Sequence, residues 1–155
     1  MILENIEKLL LGRTFVSMGT ASKKAEPQCA PKFIFKVKGH NIYLIDYAMA
    51  VSAANLKENP RASLSFMDLD NIEGYRLTGS VKLIEEGPVF DEILKEYQSK
   101  LIKLTATRVI EGMKSGKKSP HFELEMPERF LVIKFTIEKA VKIGLHGDLE
   151  SETWP

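Results

Sequence analysis

Apolar residues at Leu3, Ile6, Leu9 and Leu10 share one helical face and Gly12 follows them, so the chain opens on an amphipathic helix over about Ile2 to Leu11. Beyond it the period shortens to that of β-strands. Thr14 to Thr20, Gln28 to Val37 and Asn41 to Asp46 read as a meander, separated by the polar segment Ala21-Ser22-Lys23-Lys24-Ala25-Glu26 and the turn Lys38-Gly39-His40. Val51 to Asn59 is helical and stops where Asn59 precedes Pro60. Strand character returns over Ala62 to Met67 and Tyr75 to Ile84, on either side of the turn-rich Asp68 to Gly74. Pro88 suits a first helical turn, and Val89, Phe90, Ile93, Leu94 and Tyr97 recur at helical spacing, predicting a helix to about Lys100 that continues from Leu101 to Met113. A basic loop, Lys114-Ser115-Gly116-Lys117-Lys118-Ser119-Pro120, precedes a long strand from Phe130 to Ile137 and a short one from Ala140 to Ile143. The acidic end, Asp148 to Pro155, reads as a fraying tail.

Consecutive strands with helices only at these few places do not fit the alternation of a parallel α/β sheet. The fold class predicted is mainly β with peripheral helices: an antiparallel six- or seven-stranded barrel in one domain spanning residues 1–155. Such a barrel fills its interior with side chains, so a ligand binds outside it, at a strand edge or a subunit interface.

Composition narrows the classes. Twenty-two basic residues against 21 acidic ones leave no global field toward nucleic acid or an anionic membrane, and charged residues interrupt every apolar run before it could span a bilayer. The lone Cys29 closes no internal disulfide, and the N-terminus lacks a signal peptide's apolar core, so the expected location is the cytoplasm. His40, His121 and His146 are too scattered for a metal site, and none is predicted. No side chain reads as an obligatory catalytic acid, base or nucleophile. Cys29 is most simply a small hydrophobe on a strand.

The chemistry concentrates between Tyr43 and Phe66, where a strand, a small-residue turn, a short helix, an Asn-Pro stop and a second strand follow one another. The turn Tyr47-Ala48-Met49-Ala50-Val51-Ser52 places the Ser52 hydroxyl and the N–H groups of Ala53 and Ala54 at a helix start, where the dipole favours an anion such as a cofactor phosphate.

The order of FVSMGTA, QCAPKFIFKV, this socket, RLTGSVKLIEE followed by Gly-Pro and a helix, and FLVIKFTIEKAVKI resembles the flavin-binding split-barrel family related to pyridoxamine 5'-phosphate oxidase. The resemblance covers nearly the whole chain. It implies a homodimeric split barrel holding flavin mononucleotide (FMN) between subunits, with backbone groups around Pro31, Lys32 and Phe33 at the ring's polar edge. The turn from Tyr47 to Ser52 would hold the phosphate, and Asn55 matches the family's Asn-Leu pair on the socket helix. Many members place a basic residue, often Lys, just before or at the helix start, where this chain has Val51 and Ser52, so the phosphate lacks its usual counter-charge; Lys57, Arg61, Lys32 or a base from the second subunit are the substitutes. The basic and histidine residues that bind substrate phosphate in true pyridoxamine phosphate oxidases have no counterpart near this C-terminus.

Each residue also has a plainer reading. Ser52 is a helix cap facing solvent, or a phosphate ligand; Lys32 is a solvated strand residue, or a charge beside the flavin; Tyr47 and Met49 are packing residues, or pocket lining. Trp154, the only tryptophan, frays with the tail, or covers a flavin face or docks on a partner subunit. The function expected is an FMN-dependent oxidoreductase in which the flavin takes up hydride or electrons. The rivals are a non-enzymatic electron carrier and a split barrel for another planar cofactor, haem or a deazaflavin.

Overall fold

The computed structural model describes residues 2–116 and 129–155. These fall into two compact units, Met1–Ile84 with Phe130–Pro155, and Glu85–Arg129. The Lys117, Lys118 and His121 positions lie outside the described residues.

In the first unit, helix α1 (Ile2–Leu11) leads into strands β1 (Phe15–Ala21), β2 (Pro27–Lys38) and β3 (Asn41–Asp46). Helix α2 (Val51–Glu58) then crosses to β4 (Arg61–Asp68), and β5 (Glu73–Ile84), β6 (Leu131–Ile143) and β7 (Leu149–Thr153) complete the unit. All pairings are antiparallel, in the order β3-β2-β1-β4-β5-β6-β7, and β3 also pairs with β6. That last pairing closes six strands into a barrel. The predicted class and meander are therefore the observed ones.

The barrel is filled from its own strands. Met18, Ile42, Leu44, Leu64, Leu77, Ile133 and Phe135 are all fully buried, and α1 adds Ile6 and Leu10 from its apolar face. At about 1.5–3 kcal/mol for each such side chain, this core is the main source of the unit's stability.

Two expectations change at β6. Instead of a long and a short strand, the chain runs unbroken from Leu131 to Ile143, with the register against β5 slipping between Thr78 and Gly79 so that Glu138 bulges out. One edge of this long strand is divided: Leu131 to Thr136 pair with β3, and Lys139 to Ile143 pair with β7. The acidic tail is thus a strand. Its charges explain why: Lys142 on β6 sits 3.0 Å from Glu73 and 3.4 Å from Glu150, an arrangement that holds the Glu73 carboxyl below its ordinary value and raises the Lys142 ammonium.

The second unit contains α3 (Pro88–Ser115), the predicted helix from Pro88 continuing through Leu101 to Met113 without a break. Gly87 precedes it at φ +96°, a conformation that suits glycine, and Pro88 takes the first turn. No helix among the described residues is long and apolar enough to cross a membrane.

Candidate functional site

The site grows out of the end of β3. Alternation fails there, since Leu44, Ile45 and Asp46 are all buried, and a buried carboxylate must be satisfied. Asp46 Oδ2 lies 2.9 Å from the ammonium of Lys32 on β2, which is equally buried. Its Oδ1 accepts the backbone N–H groups of Ala48 at 3.2 Å and Met49 at 3.3 Å, an Asx turn that shapes the loop leading to α2. Met49 takes a positive φ of 43° within that loop. Lys32 is therefore neither a solvated strand residue nor a free charge beside a ligand: it is the counter-ion of Asp46.

The helix start also differs from expectation. Ala50, not Ser52, is the residue before the first turn, and no side chain caps it. The Ala54 N–H is already bonded to the Ala50 carbonyl at 3.2 Å, so the amides without an intrahelical acceptor are those of Val51, Ser52 and Ala53. Ser52 is 2% exposed, and its hydroxyl donates to Gln28 Oε1 at 3.0 Å. Asn55, also buried, donates from Nδ2 to Thr20 Oγ1 at 3.1 Å, and Asn59 donates to the Ala21 carbonyl at 3.2 Å. Ser52 and Asn55 on α2, with Asn59 just past its end, fasten the helix to β1 and β2, while Ala53 and Leu56 enter the core. Val51 stands exposed at the first helical position.

Two aromatic rings meet beside this corner, Phe33 exposed and Tyr47 half-buried. Phe33, on the exposed face of β2 with Pro31, meets Tyr47 edge-to-face at 5.2 Å between centroids. Phe15 on β1 pairs in register with Phe33 and is also exposed. Further along the same face of β2 is Cys29, which with its neighbour Gln28 and with Gly19, Ala21 and Ser63 lines an open groove of about 670 Å³. Gln28 joins the groove to Ser52.

Trp154 is elsewhere. Its ring meets that of His40 edge-to-face at 5.0 Å, and its amide donates to the Glu138 carbonyl at 2.8 Å. His40 precedes β3 and Asp46 ends it, so Trp154 and the Asx turn lie at opposite ends of that strand, roughly 17 Å apart from strand rise alone. Within one chain the structure thus brings together Pro31, Lys32, Phe33, Tyr47, Ala48, Met49, Val51, Ser52 and Asn55, and leaves Trp154 out.

Sequence reasoning missed Asp46, Gln28 and Phe15. Asp46 had a local signal, a carboxylate closing an apolar strand just before a turn. Gln28 and Phe15 had none, because their roles come from cross-strand neighbours.

A six-stranded closed antiparallel barrel, with a short helix bridging β3 to β4 and an aromatic shelf beside that helix's start, defines the split-barrel class. The chain belongs to the pyridoxamine 5'-phosphate oxidase family, whose sequence profile matches residues 2–143. A search of the curated proteins finds no significant match. Among solved structures, a Clostridium acetobutylicum protein related to general stress protein 26 of the pyridoxinephosphate oxidase family is similar at TM-score 0.64 and 15% identity, over 98% of this chain and 94% of that one. A pyridoxamine 5'-phosphate oxidase-related, FMN-binding protein of Nostoc punctiforme gives TM-score 0.56 at 13% identity, over 99% and 94%. A haem-binding protein of Mycobacterium smegmatis gives 0.64 at 16%, over 99% of this chain and 58% of that one. At these identities the likeness is one of fold.

Proposed function

We propose that this protein is a homodimeric, cytoplasmic FMN-binding flavoprotein, formed as a single cofactor domain over residues 1–155, and that it acts as an oxidoreductase on a small-molecule redox substrate. The observation that supports this reading best is the preformed corner: Asp46 fixes the turn that runs from Tyr47, paired with Phe33, into the start of α2, where the Val51, Ser52 and Ala53 amides have no intrahelical acceptor. The donor set fits a flavin. Amides at a helix start accept a phosphate, and exposed aromatic rings and the backbone of Pro31 to Phe33 suit a planar heterocycle with a polar edge. When bound, FMN supplies the hydride or electron chemistry itself. The chain's contribution is to hold and orient: α2 is locked to β1 and β2 by Ser52, Asn55 and Asn59, so the amides meet the ligand already in place.

The visible spectrum of the purified protein, followed by denaturation and identification of the released chromophore, tests this. A flavin spectrum and released FMN are expected. A Soret band would move the protein to the haem-binding reading, to which the Mycobacterium smegmatis neighbour lends support. A colourless preparation that also leaves added flavin fluorescence unquenched would overturn the proposal. Rapid turnover with NADH or NADPH and simple acceptors separates an enzyme from an electron carrier.

A further inference from the structure

We propose that the cofactor corner recognises flavin by shape and backbone amides rather than by charge, so that FMN and riboflavin are bound with similar affinity. This deepens the flavin reading above and rests on it. The carrying observation is the buried Lys32–Asp46 pair. Lys32 is a basic side chain that the fold places against the turn, and its ammonium is committed to Asp46 at 2.9 Å, with 5% and 2% of the two side chains exposed. A pair this buried sums to no net charge and presents almost none of either ion to an incoming anion.

The remaining groups point the same way. The Ser52 hydroxyl, which would add a neutral hydrogen bond to a phosphate, is occupied by Gln28 at 3.0 Å and is buried. Val51, at the position best placed to carry a counter-charge, is an exposed hydrocarbon. What the corner offers a phosphate is amides and the helix dipole, an effect that salt screens and that falls away within one turn. What it offers the ring is a fixed turn and two aromatic faces, which both flavins use equally. Asp46 is on this account a positioning residue with a second consequence: by consuming Lys32 it removes a charge that would otherwise distinguish FMN from riboflavin.

Fluorescence-quench titrations with FMN and with riboflavin, at low and high salt, test the idea on the full-length protein. In the wild type the two dissociation constants are expected within about tenfold of each other. Val51→Lys is expected to tighten FMN at least tenfold, in a salt-sensitive way, and to leave riboflavin unmoved. The double variant Lys32→Met/Asp46→Asn keeps the carbonyl acceptor for the Ala48 and Met49 amides while removing both charges. It is expected to weaken both flavins together through a looser turn, at an unchanged ratio. A wild-type preference for FMN above about a hundredfold that the double variant abolishes would show that Lys32 serves the phosphate, and would overturn the inference while leaving FMN binding intact. Absence of quenching by either flavin would overturn the flavin reading and this inference with it.

Discussion

At the residue scale, Asn55 shows how one side chain carries two arguments. Its place before Leu56 is part of the sequence's resemblance to the family, and in the structure its amide is spent on Thr20, both groups being buried. Asn55→Ala removes the donor and leaves the Thr20 hydroxyl without that partner, which costs about 1–3 kcal/mol. The urea midpoint is expected to fall accordingly with the slope unchanged, because the barrel still buries the same surface. An unaltered midpoint would mean that α2 is held by its apolar contacts alone. The identity of Asn55 was legible in the sequence, but its partner was not, since Thr20 lies 35 positions away and no local period links them. Ser52 and Lys32 misled for the same reason. A serine two residues into a helix and a lysine on a strand both read as solvent-facing until cross-strand neighbours, Gln28 and Asp46, enclose them.

At the scale of elements, β6 was the hardest to read and is the most consequential. Glu138 and Lys139 look like a break between two strands, because consecutive polar residues interrupt the alternation. In space they form a bulge, and Gly79 on β5 makes it possible. A methyl group built onto Gly79 would collide with the carbonyl oxygen of Thr136 and crowd the Glu138 amide, and both are backbone atoms that cannot swing aside. Gly79→Ala is therefore expected to destabilise the protein by more than the usual overpacking cost of about 1–3 kcal/mol, because the β5–β6 register itself must shift. A thermal melt checks it: a lowered, less cooperative transition is expected, and a melt equal to wild type would show that the strands separate there without cost. The tail was misread for a related reason. As a chain end it reads as frayed, whereas Lys142, opposite Glu150 across the ladder and 3.4 Å from its carboxylate, supplies an opposite charge that favours a strand over Leu149 to Thr153. Strands whose alternation was clear, such as β4 and β5, were legible to within a few residues, because burial on one face writes itself into the sequence with period two.

At the scale of the molecule, closure of the barrel depends on β6 meeting both β5 and β3, and the described residues between β5 and β6 take no part in either pairing. Ile84 stands opposite Val132 in the antiparallel register, so the two strands already end side by side, as the arms of a hairpin do. The unit Glu85–Arg129 is inserted at that point. If the barrel's stability resides in its own core of Leu44, Leu64, Leu77, Ile133 and Phe135, replacing residues 86–129 by a four-residue turn containing Asn-Gly leaves every one of those contacts in place. The shortened protein is expected to unfold in a single cooperative transition and to keep the near-ultraviolet circular dichroism of Trp154 packed on His40. It should also show a smaller denaturant slope, in proportion to the surface removed. Loss of the tryptophan signal with retained far-ultraviolet strand signal would instead mean that the inserted unit fixes the packing of the barrel, and that the first unit does not specify its own core.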